Sequence, residues 1–265
     1  MKLFLLLITL WLPWQSAIAG ERILALAPHI CEILYAIGAE AEIVGAVDYC
    51  DYPQAAEALP RVGGYHRINV EAAIALKPTL ALVLDEQAQG VSKLRELGVR
   101  VVSIYPKNVD EVLAGIRYAG ALTGHHQQAD RLADRLQIRL QRLQSRVSGQ
   151  AIPTFYEIWA DPLMTAGKRT FITDVLRRIG LRNVFGSVEM GAPRINVESV
   201  ISAGPKVVVV PSEKRDVSER TTFWKKWLGE DIRVITVNHN LVHRPGPRLL
   251  DGMEYLVEQL QGSHP

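Results

Sequence analysis

The 265-residue chain contains no Gly-x-Ser-x-Gly elbow, no Walker loop, no His-Glu-x-x-His pair and no Gly-x-Gly-x-x-Gly turn. The common signatures of serine hydrolysis, nucleotide hydrolysis, zinc peptidase chemistry and dinucleotide binding are therefore missing. Cysteine is scarce, at two residues, which excludes a disulfide-stapled scaffold. The excess of positive charge is small: 30 Lys plus Arg against 28 Asp plus Glu leaves +2, too little for a nucleic-acid-binding surface. With 48% apolar residues the chain has ample material for a buried core, so collagenous and disordered classes drop out as well. A binding protein fits these absences better than an enzyme.

A membrane-spanning helix needs about twenty consecutive apolar residues, and no segment supplies them. The nearest approach is the N-terminus. There Lys2 gives a positive start, the apolar run from Leu3 is broken at Pro13 and Gln15, and Ala17-Ile18-Ala19 forms a small-x-small cleavage pattern. Residues 1–19 read as an export signal, cleaved near Ala19.

Beyond that segment, short apolar runs alternate with amphipathic stretches, the rhythm of β-α units around parallel sheets. Strands are expected at residues 22–27, 42–47, 80–84 and 99–104, and again at 152–158, 207–210 and 233–237. Between the two groups, residues 126–148 hold neither Pro nor Gly, and Ala129, Leu132, Leu136, Leu140, Leu143 and Val147 recur at intervals of three or four. One amphipathic helix, roughly 35 Å long, fits this stretch. Arg131, Arg135, Arg139, Arg142 and Arg146 lie on its other face, where Asp130 and Asp134 are expected to pair with several of them on a solvated surface.

Arg67-Ile68-Asn69-Val70-Glu71 recurs letter for letter as Arg194-Ile195-Asn196-Val197-Glu198, 127 positions later, and the same shift carries Ile74 onto Ile201, Pro78 onto Pro205 and Val83 onto Val210. A weaker echo lies upstream in each half: Glu32-Ile33-Leu34 with Ile37-Gly38, then Asp174-Val175-Leu176 with Ile179-Gly180. Echoes in the same order predict two related units. The expected fold class is α/β: two Rossmann-like α/β lobes, residues 20–108 and 150–265, joined by one long α-helix within a connecting segment at 109–149. A ligand cleft is expected between the lobes. A helical joint is stiffer than paired extended strands, so the cleft should close only slightly.

Asn69 and Asn196 each precede a Val-Glu-x-x-Ile stretch and read as helix N-caps. Glu71 and Glu198 then fall in the first turn, where the helix dipole favours a carboxylate. As a repeat-related pair they also suit a twofold-symmetric partner with two basic sockets. Tyr49 after the second strand, Tyr65 in the Gly63-Gly64-Tyr65 loop and Trp159 just after the first strand of the second lobe offer flat faces to a large planar ligand. His243, Arg244 and Arg248 can meet its polar rim. His239 and His243 are four apart, but Asn238, Asn240, Pro245 and Pro247 make a loop the expectation. No metal site is assigned, while a histidine axial to haem iron stays open. Cys31, at the start of the helix after strand one, and Cys50, just after strand two, are expected to form a disulfide worth roughly 3 kcal/mol.

Leu26-Ala27-Pro28 with Glu32, the Asp51-Tyr52-Pro53 turn, Asn69-Val70-Glu71 with Leu76-Lys77-Pro78, Thr165-Ala166-Gly167-Lys168 and Pro247-Arg248 form a set spread over nearly all of the chain after the signal. The set resembles the periplasmic substrate-binding proteins of ABC importers for cobalamin, haem and ferric siderophores, the class with a single helical backbone between lobes. Cobalamin-binding members look nearest. The resemblance implies a monomeric periplasmic carrier without catalysis or a cofactor of its own, transporting cobalamin, with haem next and ferric siderophore third. It implies that Glu71 and Glu198 dock on arginines of a permease dimer in the inner membrane, and that Tyr49 and Arg244 match pocket positions. Cobalamin-binding members often carry tryptophans where this chain has Tyr65, Leu84 and Ala192, and an acid where it has Asn240. Trp159, absent from that pattern, is expected to compensate. The expected ligand-binding set is Tyr49, Tyr65, Trp159, Asn240, His243 and Arg244.

Overall fold

A computed structural model describes residues 20–212 and 217–262; the expected export signal at 1–19 lies outside these described residues. The first lobe runs β1 (Ile23–Leu26), α1 (Pro28–Ala36), β2 (Ile43–Ala46), β3 (Gly63–Gly64), β4 (Arg67–Ile68), α2 (Val70–Ala75), β5 (Leu80–Val83), α3 (Val91–Glu96) and β6 (Arg100–Ser103). Strands β2, β1, β5 and β6 form a parallel sheet in that order. Every residue of β1 and β5 is buried, as central strands covered on both faces require.

Two helices follow, α4 (Val109–Thr123) and α5 (His126–Ser145), packed along each other. The second lobe runs β7 (Ile152–Ala160), β8 (Leu163–Thr165), α6 (Phe171–Arg178), β9 (Leu181–Asn183), α7 (Val197–Ala203), β10 (Val207–Ser212), α8 (Val217–Leu228), β11 (Arg233–Asn238), α9 (His239–Val242) and α10 (Leu249–Gln261). Strands β9, β7, β10 and β11 are parallel neighbours in that order, while β8 folds back on β7 as a hairpin. The two sheets are separate and repeat one topology: β9 stands where β2 does, β7 where β1 does, β10 where β5 does and β11 where β6 does. All seven strands expected from apolar runs are present, whereas β3, β4, β8 and β9 are additional and only two or three residues long.

Helix α5 is the long rod, 20 residues or about 30 Å, ending at Ser145 rather than at residue 148. It buries Ala129, Leu132, Leu136, Leu140 and Leu143. At its start His125 Nε2 lies 3.0 Å from Glu42 Oε1 in the first lobe. At its end Arg146 donates to Gln261 at 2.8 Å in the second. Its charged face departs from expectation. Asp130 and Asp134 pair with Arg117 of α4, at 3.5 and 2.6 Å, and Arg139 pairs with Asp251 and Glu254 of α10, at 2.6 and 2.5 Å. With α4 and α10 packed against α5, facing side chains on neighbouring helices meet in place of pairs along one helix.

One apolar cluster runs from Ile23 and Leu24 of the first sheet through Leu113 and Leu136 to Tyr156, Leu176 and Leu250 of the second lobe. Phe155, Val208, Val210 and Trp224 fill a separate, smaller core on the other face of the second sheet. Because interiors are packed as densely as organic crystals, a core shared by both lobes and the rod opposes hinge motion.

Candidate functional site

In parallel α/β sheets ligands gather at the carboxyl ends of the strands. Here the carboxyl ends of both sheets meet: Asp51, in the segment after β2, is bonded to Arg244, in the segment after β11 and α9, at 2.5 and 3.0 Å. Arg244 also donates to Glu32 of α1 at 3.1 Å. Arg248 grips the same Glu32 with two bonds, at 2.5 and 3.0 Å, and its guanidinium stacks 3.7 Å over the ring of Tyr52. Burial works against the charge on Asp51, but the hydrogen bond and charge of Arg244 outweigh it and hold the carboxyl below its usual value.

The first-lobe rim is a braced loop. Cys31 of α1 and Cys50 are joined by a disulfide, as expected. Arg61 donates to the carbonyls of Val47, Cys50 and Ala56 at 2.8 to 3.0 Å. This bracing presents Tyr49 with 62% of its surface exposed. Tyr65 and His66 form the tip of the β3–β4 hairpin, their rings 4.0 Å apart. Gly63 makes that turn, with φ 96 and space for no side chain: a Cβ would sit 2.7 Å from the Arg67 carbonyl oxygen.

On the second lobe, a cavity of about 620 Å³ is lined by Glu157, Trp159, Asp161, Arg220, His239 and His243 among others. Trp159 lies within β7 rather than after it, because pairing with β8 prolongs that strand; its indole donates to the Asp161 carbonyl at 2.8 Å and 61% of the residue is exposed. Glu157 is buried and accepts from Arg220 at 2.9 and 2.5 Å and from the Trp224 indole at 2.6 Å. His239 and His243 sit on a helical turn, not in a loop. Asn238 caps that turn by accepting from the Asn240 amide, and Pro245 comes only after it has closed, where a missing N–H does no harm. Burial, then the charge of His239, depresses the His243 imidazole to about 4, so it is neutral at pH 7. Its Nε2 and the Asn240 Oδ1 are buried without a protein hydrogen-bond partner.

The expected site residues are thus divided. Trp159 and His243 share the second-lobe cavity; Tyr49 and Tyr65 belong to the first lobe and lie outside its lining. Arg244 is buried in the ion network between lobes. Sequence reasoning missed Arg61, Glu157 and Arg220, single charges without a spacing pattern. Glu157 alone left a trace, as an acid inside an otherwise apolar strand. Among the described residues no group of three or more His, Cys, Asp or Glu is arranged to hold a metal ion.

Asn69 Oδ1 accepts from the Ala72 amide at 3.1 Å and Asn196 Oδ1 from the Ser199 amide at 2.9 Å, the two N-caps anticipated from the repeat. Glu71 and Glu198 are exposed in the first turns of α2 and α7.

Residues 23–225 match the pattern of a periplasmic binding protein family. The vitamin B12-binding protein of Pectobacterium carotovorum is 28% identical over 250 residues, 92% of this chain and 90% of its own length. That of Yersinia pestis is 29% identical over 259 residues, 97% of this chain and 91% of its own. Among solved structures, the periplasmic vitamin B12 binding protein of Vibrio cholerae is similar at TM-score 0.83 and 28% identity, covering 91% of this chain and 97% of that one. A possible iron-binding periplasmic protein of Staphylococcus epidermidis gives 0.77 at 29%, covering 91% and 99%. A periplasmic haem-binding protein of Pseudomonas aeruginosa shares the fold, with TM-score 0.81 at 24% identity, covering 93% and 94%. Two lobes, one rod and a family match over most of its length agree: the chain belongs to the periplasmic binding proteins.

Proposed function

We propose that this protein captures cobalamin between its lobes in the periplasm, after signal cleavage near Ala19, and delivers it as a monomer to the permease dimer of an ABC importer. The observation that carries the reading is the pair of rims: Tyr49 and Tyr65 on one lobe and Trp159 on the other, each at the carboxyl ends of a parallel sheet. The likeness to vitamin B12-binding proteins over nearly the whole chain supports it. Flat aromatic faces suit the plane of a corrin ring. A 620 Å³ cavity is the size of a drug-sized pocket, so it takes part of such a ligand, with the rest lying across the rims. Asn240 and His243, with polar atoms unmatched by protein partners, are assigned to the ligand's amide groups. No bond of the cargo is made or broken, so the protein is a carrier and not an enzyme.

The paired Tyr65 and His66 rings at the hairpin tip, 4.0 Å apart, favour haem as the second reading, through an axial contact to iron. Calorimetric titration against cyanocobalamin, hemin and a ferric siderophore panel separates the candidates. Tight binding of hemin alone, with its absorption band lost in His66→Ala, would replace the cobalamin assignment.

Delivery is assigned to Glu71 and Glu198, which offer exposed carboxylates at repeat-equivalent places to two basic sockets. Glu71→Lys with Glu198→Lys should abolish uptake while leaving ligand affinity unchanged. Loss of affinity together with uptake would remove the docking role.

A further inference from the structure

Two of the ion pairs that join the lobes are built around the disulfide. Cys31 precedes Glu32 and Cys50 precedes Asp51, and the Cys31–Cys50 bond therefore ties together the backbones that carry both carboxylates bonded to Arg244. The two acceptors are unequal. The side chain of Glu32 is 1% exposed and is held by Arg244 and Arg248 together. That of Asp51 is 41% exposed and has Arg244 as its ion-pair partner, at 2.5 Å. One contact is an anchor, and the other stands at the rim where water can compete for it.

The neighbours of this contact belong to the candidate cleft. Asp51 is two residues from Tyr49, and Arg244 directly follows His243, which lines the second-lobe cavity. We propose that Arg244 is the bolt of an inter-lobe latch: it pivots on Glu32, engages Asp51 when the lobes are set at their binding separation, and so fixes the distance between Tyr49 and the His243 side of the cleft. The disulfide is the latch plate, keeping Asp51 in reach of a bolt seated on Glu32. Arg244, Asp51 and Glu32 are positioning residues in this scheme, acting on the ligand through the placement of the rims. The shared core limits large motion, and the latch selects the position within what remains. The inference rests on the carrier reading for its consequence, but not for its geometry.

The test uses the full protein with nitroxide labels, attached through an unnatural ketone amino acid at positions 93 and 225, one on each lobe. Inter-lobe distances are measured by pulsed dipolar spectroscopy without ligand, and cyanocobalamin dissociation is followed by tryptophan fluorescence. Asp51→Ala should broaden the distance distribution and raise the dissociation rate about tenfold, with Asp51→Asn intermediate in both. Adding Cys31→Ala with Cys50→Ala to Asp51→Ala should change the distribution little further, since the plate has nothing left to hold. A distribution in Asp51→Ala as narrow as the parent's overturns the latch, as does full additivity of the two changes. If the cysteine variant fails to fold, the two Asp51 variants decide the matter alone. If cyanocobalamin does not bind the parent protein, the carrier reading falls, while the ligand-free distances still judge the latch.

Discussion

The lobes share a strand order, an Asn-capped helix with an exposed first-turn glutamate and an acid on the first helix, yet they differ where their strands end. Glu32 of α1 and Asp174 of α6 are counterparts in the weaker echo of the repeat, and each holds the entry to a helix arriving from the other lobe. Glu32 takes Arg244 and Arg248 just before α10. Asp174 accepts from the Val109 amide at the start of α4, at 3.0 Å, and from Arg178, which also reaches Asp110 at 2.5 Å. The crossings are thus related by the same approximate twofold as the sheets. The rims are not. The Tyr65–His66 tip corresponds to Ala192–Pro193 in the second lobe, the β7–β8 hairpin with Trp159 has no partner in the first, and the disulfide is confined to the first. The repeat keeps the parts that join the lobes and the capped helices proposed to dock, while the parts proposed to face the ligand differ, as one asymmetric ligand would require.

The largest test of this comparison separates the paired acids. Glu32→Gln leaves two guanidiniums facing a neutral amide in a buried site, and should cost about 3–5 kcal/mol in urea unfolding. Asp174→Asn likewise leaves Arg177 and Arg178 facing a neutral amide, but at a less enclosed position, and should cost about 1–2 kcal/mol. Equal costs would mean that the crossings are energetically interchangeable, against the difference in burial.

Next in size is the brace. Cys31→Ala with Cys50→Ala opens a loop spanning a sequence separation of 19 and should cost about 3 kcal/mol. Hydrogen exchange should locate the loosening at residues 47–58 and α1, with the second lobe unchanged. Loosening spread evenly over both lobes would show that the disulfide supports the shared core rather than the first-lobe rim.

The framework was legible because it is periodic. Apolar runs marked seven strands, the three-and-four spacing marked α5, and one repeated pentapeptide marked α2 and α7 with their caps. Of the residues singled out for the ligand, Trp159 and His243 line the second-lobe cavity. Arg61 and Arg220 act through distant carbonyls and carboxylates, and Arg244 finds Asp51 across 193 positions; no local pattern encodes such pairings. The arginine stripe of α5 misled for the same reason, since its partners come from α10 and those of its aspartates from α4. The histidine turn of α9 was obscured by nearby prolines, which follow the turn instead of interrupting it.

A smaller effect sets buried His29 of the first lobe against the partly enclosed His243 of the second. His29 is 2% exposed; burial, opposed by its bond to the Ile104 carbonyl and aided by the charge of Arg244, brings it to about 4. His243 also lies at about 4. Both folded values are depressed below 6.5, so the folded state prefers the neutral ring. Their contribution is complete above pH 6.5 and is lost as pH falls toward 4, with about 2 kcal/mol per histidine gone by pH 5. Urea midpoints measured from pH 7.5 to 4.5 should fall in the parent, and His29→Leu and His243→Leu should each flatten the fall by half. A variant that keeps the full slope removes its histidine from the account.

The finest test asks whether the duplicated caps are still equivalent. Removing the side-chain acceptor in Asn69→Ala or Asn196→Ala should cost about 1 kcal/mol, because each frees one first-turn amide of a short helix. The second cap carries an extra contact, the Ser199 hydroxyl to Asn196 Oδ1 at 2.5 Å, and α7 is a residue longer than α2. Asn196→Ala should therefore cost a few tenths of a kcal/mol more. Each change also frays the turn that presents Glu71 or Glu198, the carboxylates proposed to dock, so permease association should weaken in step with the stability lost. An intact association in either variant would separate the cap from docking and leave the repeated pentapeptide explained by folding alone.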